Sequence, residues 1–297
     1  MNNDRPFFTI IIPTYNRARL IAETLQTVLD QEFQDFEIII ADDGSIDDTS
    51  EVVAKINSNK ISYFKTENKG VAHARNFGIL KAKGNYIGFL DSDDFYEKDH
   101  LQNAFEFIQT EDYPELVHLN FNWGDREKKA FRKNKLPQTL PDDIFVGCSL
   151  HVNSLFVRKD IGQLNLFNES RALMLSEDWE YFIRMACRYQ LHLKDTPSSY
   201  LVEHSTRSTR IFDPQQLLNR RAAIVKCLEG DQIISEKYPR KVKLVDAHMS
   251  SLAAVNFAAN KSKTDAFLLW VRAIRLNPKE LFTRRSVAII KHLLLKF

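Results

Sequence analysis

The chain has 297 residues, of which 44% are hydrophobic and 27% charged. That balance excludes wholesale disorder and suffices for one large domain or two modest ones. Three widely spaced cysteines, Cys148, Cys187 and Cys227, lack the paired spacing of a zinc site or a redox motif and fit a reducing compartment. No apolar run approaches the roughly 20 residues of a membrane span, and the polar start Met1–Pro6 lacks the order of a signal peptide, so a cytoplasmic protein is expected.

The front of the chain alternates two periods. Phe7–Pro13 (FFTIIIP) reads as a strand, and Leu20–Gln31 has apolar residues at helical spacing. Phe36–Ala41 (FEIIIA) is a continuous apolar run, the pattern of a strand buried on both faces. Asp47–Ile56 reads as a helix, Ile61–Lys65 as a strand, Val71–Ala82 as a helix and Tyr86–Leu90 as a strand. Such alternation predicts an α/β fold with a mostly parallel sheet and right-handed crossovers. The middle is less regular. Leu116–Phe121 and Ser154–Arg158 read as strands, Asp125–Lys135 as a polar, basic loop or hairpin, and Glu177–Tyr189 as a helix. From Asp213 onward the pattern is helical, through Pro214–Leu228, Val242–Ala259, Thr264–Leu276 and a last segment after Pro278.

The net charge of +2 conceals an asymmetry. Residues 1–204 carry 23 Lys and Arg against 32 Asp and Glu, whereas residues 205–297 carry 18 against 7. A division into an acidic 1–204 domain and a basic, helical 205–297 region follows, the first suited to a cation and the second to an anionic surface. The final segment, Leu281–Phe297, mixes Arg284, Arg285, Lys291 and Lys296 with bulky apolar residues. As a helix it would lie in an anionic membrane interface, and it is too charged to span. Its alternative is a terminal helix packed on the core.

In an open α/β sheet, ligands bind beyond the carboxyl ends of the strands. Those positions here are Pro13-Thr14-Tyr15-Asn16, Asp42-Asp43-Gly44-Ser45 and Asp91-Ser92-Asp93-Asp94. Five carboxylates at two such ends repel one another unless a cation intervenes, and all-oxygen ligation suits Mg2+ or Mn2+ with a phosphorylated substrate. Asp-rich turns that only cap helices are the competing explanation. No G-x-G-x-x-G follows the first strand, and neither a P-loop nor a G-x-S-x-G elbow occurs, which argues against dinucleotide dehydrogenases, P-loop nucleotidases and the common hydrolases. No nucleic-acid-binding motif accompanies the basic tail.

Four segments in order, Thr9–Asn16 (TIIIPTYN), Ile40–Ser45 (IADDGS), Asn68–Gly78 (NKGVAHARNFG) and Tyr86–Asp94 (YIGFLDSDD), resemble the GT-A glycosyltransferases of family 2. Ser154–Asp160 (SLFVRKD) and Ser176–Arg184 (SEDWEYFIR) extend the resemblance more loosely. The resemblance implies a metal-dependent, inverting transfer of a sugar from a nucleotide-sugar donor, a UDP-sugar foremost, to a glycan or lipid-linked acceptor, as in bacterial-type surface polysaccharide synthesis. By it, Pro13, Thr14, Tyr15 and Asp43 hold the nucleotide base, and Arg75 reaches the base or the diphosphate. Asp91 faces the ribose and the metal shell, Asp93 is the direct metal ligand, and His204 is a later one. Asp178, beside Glu177, is the general base at a helix start. A catalytically inactive nucleotide-sugar-binding module and a sugar-phosphate nucleotidyltransferase are the alternatives. Intact Asp91, Asp93 and Asp178 count against the first, and the absence of glycines in Pro13–Arg19 counts against the second.

Overall fold

The computed structural model describes residues 5–125, 127, 129–203 and 213–294. In chain order the elements are β1 (Phe8–Thr14), α1 (Ile21–Leu29), β2 (Phe36–Asp42), α2 (Thr49–Ile56), β3 (Ile61–Lys65), α3 (Val71–Lys81), β4 (Tyr86–Phe89), β5 (Phe95–Tyr96), α4 (His100–Thr110), β6 (Leu116–Gly124), β7 (Ala130–Lys133), α5 (Asp142–Val146), β8 (Leu155–Arg158), α6 (Lys159–Leu164), α7 (Glu177–Ala186), β9 (Leu191–Val202), α8 (Pro214–Gly230), α9 (Gln232–Lys237), α10 (Val242–Ala259), α11 (Lys263–Leu276) and α12 (Arg284–Leu294). They form two compact units. The first comprises Met1–Pro137, Ser149–Glu169 and Tyr189–Ser205, and the second Gln138–Cys148, Ser170–Arg188 and Thr206–Phe297. The single division expected at 204/205 therefore misses two earlier segments, one carrying α5 and the other α7, that belong with the C-terminal helices.

The first unit is built on one sheet in the order β3-β2-β1-β4-β8-β6-β9-β5, with β7 added to β6. β1 pairs in parallel with β2 and β4, and β2 with β3, as the βαβ alternation predicts. β8 is antiparallel to both β4 and β6, so β6 runs in the same direction as β4, and β9 is parallel to β6. The carboxyl ends of β1, β2, β3, β4, β6 and β9 consequently lie on one edge of the sheet. β1 is buried along its whole length, and β2 in all but Glu37. Their Ile10, Ile12, Ile38 and Ile40 join Leu25, Val28 and Phe156 in the core, where full burial of each side chain contributes about 1.5–3 kcal/mol. α3 lies unusually close to β1, because a Cβ at Gly78 would stand 2.5 Å from Ile11 Cγ2. That approach brings the first turn of α3 up to the carboxyl end of β2.

The long strand β9 was not legible in the sequence. Leu191–Val202 contains Lys194, Asp195 and Pro197 and alternates poorly, and it becomes a strand because β6 offers it a parallel partner across most of its length. α4 is amphipathic through Leu101, Ala104 and Ile108 and escaped notice in a polar stretch. The helix expected over 177–189 ends at Ala186.

In the second unit α10 is the central helix, in contact with α5, α8, α11 and α12. Its Asp246 pairs with Arg272 at 2.6 Å and lies 3.5 Å from Arg221. Trp270 of α11 donates to Ser286 of α12 at 2.7 Å, and buried Glu280 holds Arg285 at 3.2 Å. Ile289 and Ser286 are fully buried. The terminal helix is thus packed on its neighbours by one face and exposes the other. Among the described residues, no helix is long and apolar enough to cross a membrane.

Candidate active site

The turn after β1 is stitched to the turn after β2. Asn16, in the left-handed region at φ 51°, donates its N–H to Ser45 Oγ at 2.8 Å and accepts from Ile46 N at 2.9 Å. Arg17 N donates to Thr49 Oγ1, and Ala18 N to Asp47 Oδ2. Burial alone would raise the Asp47 carboxyl, but the Thr49 hydroxyl and the Ala18 and Thr49 N–H groups hold it below its ordinary range. Between these anchors Tyr15 is 43% exposed, and Thr14 is buried with no hydrogen-bond partner for its hydroxyl among the described residues.

The two carboxylates after β2 have separate tasks. Asp42 is fully buried and structural, accepting from Ser45 N at 2.7 Å and from the Tyr63 hydroxyl. Burial, reinforced by Asp42, pushes the Tyr63 hydroxyl well up, so it remains a donor. Asp43 turns to the start of α3, where its two oxygens accept Lys69 N at 2.7 Å and Gly70 N at 2.8 Å. Gly70 has φ 104°, a conformation that favours glycine. The carboxylate thus caps the amide-rich start of α3.

The turn after β4 is fixed from three sides. Asp94 is fully buried. Its Oδ1 accepts Val202 N and its Oδ2 accepts Asn153 Nδ2, both at 2.8 Å, while its carbonyl accepts Thr24 Oγ1 at 3.1 Å. Asn153, also fully buried, uses its Oδ1 to accept Asp91 N at 2.9 Å. One buried amide therefore spans the turn and ties it to the segment before β8.

Around that turn, Asp91 Oδ1 accepts from Arg75 at 2.9 Å, and Asp91 Oδ2 lies 4.0 Å from His151 Nε2. Arg75, expected to reach the nucleotide, is buried beside Asp91 and faces the Phe167 ring at 5.4 Å. Ligand atoms of Asp91, Asp94 and His151 lie within 4.8 Å of one another. Asp93, the expected direct ligand, stands outside that group with its Oδ2 3.8 Å from Arg17. His204 lies outside the described residues. The oxygen donors of Asp91 suit a hard divalent cation. His151 fits less well as a ligand, because its Nδ1 accepts Asn153 N at 3.3 Å, which leaves the proton of the neutral ring on Nε2, the nitrogen toward Asp91. His118 Nε2 accepts His151 N at 3.1 Å, and burial pushes the His118 ring down to about 3, so it stays neutral.

In the second unit, Glu177 and Asp178 open α7 with different surroundings. Glu177 is buried and accepts Ser176 N at 3.1 Å. Burial lowers the Arg220 guanidinium, and the Glu177 charge opposes that shift. Asp178 is only half-buried.

Residues 9–158 match the family model "Glycosyl transferase family 2". The chain belongs to glycosyl transferase family 2. It is 30% identical over 254 residues to an uncharacterized glycosyltransferase of Rickettsia conorii, covering 82% of this chain and 40% of that protein. The chain thus spans two-fifths of the length of that relative. Over 104 residues it is 42% identical to WfaP of Escherichia coli, named a UDP-Glc:α-D-GlcNAc-diphosphoundecaprenol β-1,3-glucosyltransferase, covering 35% of this chain and 41% of that one. Among solved structures, TarS 1-349 of S. aureus, in complex with UDP-GlcNAc, superposes with a TM-score of 0.69 at 20% identity, over 96% of this chain and 89% of that one. The fold is that of the GT-A glycosyltransferases.

Two residues of this family 2 glycosyltransferase escaped the sequence reading. His151 and Asn153 sit in an unremarkable segment (SLHVNS), and only the pairing of β8 beside β4 brings them to the Asp91–Asp94 turn. Asn153→Ala should cost about 2–4 kcal/mol in urea unfolding, because Asp91 N–H and the Asp94 carboxylate each lose a partner. A loss below about 1 kcal/mol would mean that the turn holds itself.

Proposed function

We propose that this chain moves a sugar from a UDP-sugar to a hydroxyl of a surface glycan or lipid-linked acceptor, with inversion and with Mn2+ or Mg2+ as cofactor. The observation that carries the reading is the gathering of an exposed Tyr15 ring, the Asp43 carboxylate and the Arg75–Asp91 pair at one sheet edge in a family 2 chain. The TarS structure with UDP-GlcNAc and the UDP-Glc in the WfaP name support a uridine donor. Tyr15 offers a stacking face for the base. Asp43, with one backbone N–H on each oxygen, retains lone pairs for the imide N–H of uracil. Buried Arg75 orients Asp91 toward the ribose and diphosphate. Asp91 and Asp93, with His204, would hold the cation, which when bound neutralises charge on the departing diphosphate. Asp178 accepts the acceptor's proton, so attack at the anomeric carbon needs no enzyme nucleophile, unlike retaining glycosidases. A panel of nucleotide sugars, each with and without Mn2+, should single out one donor by raised thermal stability. No stabilisation by any UDP-sugar would remove the reading.

The same reading makes the protein cytoplasmic and peripheral at an anionic membrane. α12 exposes Val287, Ile290 and Leu294, and Phe282 just before it is 86% exposed, with Arg284 and Lys291 alongside. Deleting the helix would remove buried Ile289 and take from Trp270 its partner Ser286, so point changes are the cleaner test. The Phe282→Ser/Val287→Ser/Leu294→Ser protein should sediment several-fold less with anionic vesicles, and added salt should weaken the wild type. Equal sedimentation with neutral and anionic vesicles would remove this part.

A further inference from the structure

The basic segment after β6 lies outside the residues assigned above to the donor. Residues 125–135 hold six Lys and Arg against Asp125 and Glu127, whereas the rest of 1–204 carries 17 against 30. An isolated positive element in an otherwise acidic stretch makes a local attraction for anions that the net charge conceals.

Its described residues form an anchored hairpin with β6. β7 pairs with the end of β6, and all four of its side chains are exposed. Its return is held by fully buried Asn120, whose Nδ2 donates to Asn134 O at 3.1 Å, while Asn134 Nδ2 reaches Ser149 O at 2.7 Å. Arg132 lies over the Trp123 ring at 4.4 Å. That stacking orients the guanidinium while leaving its N–H donors on the edge. Lys133 is tied to Asp195 at 3.0 Å, whereas Lys129, Arg132 and Lys135 present exposed cations beside it. Because β6 runs parallel to β4, the hairpin leaves the sheet on the same edge as Asp91.

We propose that the β6–β7 hairpin binds phosphate groups of the acceptor, so that the substrate accepting the sugar is itself a phosphate-bearing molecule. A planar guanidinium held edge-outward takes a phosphate through two parallel hydrogen bonds, and flanking lysines add charge without geometric demand. A polymer with phosphate in its repeat and a lipid carrying a diphosphate share that chemistry. The inference deepens the transferase reading and rests on it for the word acceptor.

Titration calorimetry on the full chain tests it, with linear polyphosphate, farnesyl diphosphate, and UDP with Mn2+ as separate probes. In Lys129→Gln/Arg132→Gln/Lys135→Gln, affinity for polyphosphate, farnesyl diphosphate or both should fall about tenfold or more. UDP affinity should hold within about twofold, since Tyr15 and Asp43 are untouched. Lys237→Gln/Arg240→Gln/Lys243→Gln removes the same charge from exposed positions of the second unit and should leave the phosphate probes unchanged. Arg132→Lys should lose part of the affinity. A loss confined to polyphosphate assigns a phosphate polymer, and one confined to farnesyl diphosphate assigns a diphosphate lipid. Equal losses in both triple variants, no loss in the hairpin variant, or tighter binding of random-sequence RNA than of polyphosphate would overturn the proposal. A wild-type chain that binds polyphosphate through the hairpin but not UDP would instead overturn the donor reading.

Discussion

Asp178→Asn should lower turnover by about 10²–10⁴-fold, the range general-base catalysis supplies. The amide keeps the size of the carboxylate and can still accept N–H groups at the start of α7, so the helix should form as before. Donor affinity should stay within a few-fold, because Tyr15, Asp43 and Asp91 belong to other elements. The neighbouring carboxylate supplies the control. Glu177 is buried, accepts Ser176 N–H and offsets the charge of Arg220, so Glu177→Gln should cost stability, measured as a lower denaturation midpoint, while the folded fraction turns over. Single-turnover rates on both variants decide the matter. Near-normal transfer by Asp178→Asn with loss in folded Glu177→Gln would hand the role to Glu177, and activity in both would leave α7 without the base.

Asp93→Ala should abolish Mn2+-dependent binding of UDP in a protein that still folds. Of the three carboxylates after β4, Asp94 is built into the core by Val202, Asn153 and Thr24, and Asp91 is held by Arg75. Asp93 keeps partial exposure, with Arg17 3.8 Å away. Its removal also relieves repulsion within the cluster, so thermal stability without metal should not fall. Asp94→Ala, by contrast, should destabilise the fold, because it strips partners from a buried N–H and a buried amide. Calorimetry with UDP at saturating Mn2+ reads the difference, and an unchanged metal-dependent affinity in folded Asp93→Ala would remove Asp93 from the ligand set.

Much of the first unit was legible in the sequence, for a local reason. Phe36–Ala41 is apolar without interruption, Leu20–Gln31 repeats at helical spacing, and Asp42-Asp43-Gly44-Ser45 follows a strand directly. Each of these is a property of neighbours along the chain, so period and turn chemistry suffice to place β1–β4, α1–α3 and the three turns at their ends. The four motifs in order identified family 2 for the same reason. The charge division was legible too, because composition needs no coordinates.

What the tertiary structure decided are the relations between distant segments. β9 is a strand because β6 lies beside it, not because of its own alternation. Asp42 and Asp43 look alike as letters, yet one is locked by Ser45 and Tyr63 and the other accepts amides at the start of α3. Arg75 could equally have been a surface residue until α3 packed against β1 and turned it toward Asp91. Asn153 and His151 reach the Asp91–Asp94 turn across about 60 residues only through the antiparallel placement of β8 beside β4. Buried polar groups must find partners wherever the packing of apolar faces leaves them. Those partners are set by the order of strands in the sheet, a long-range outcome that no window of neighbouring residues contains.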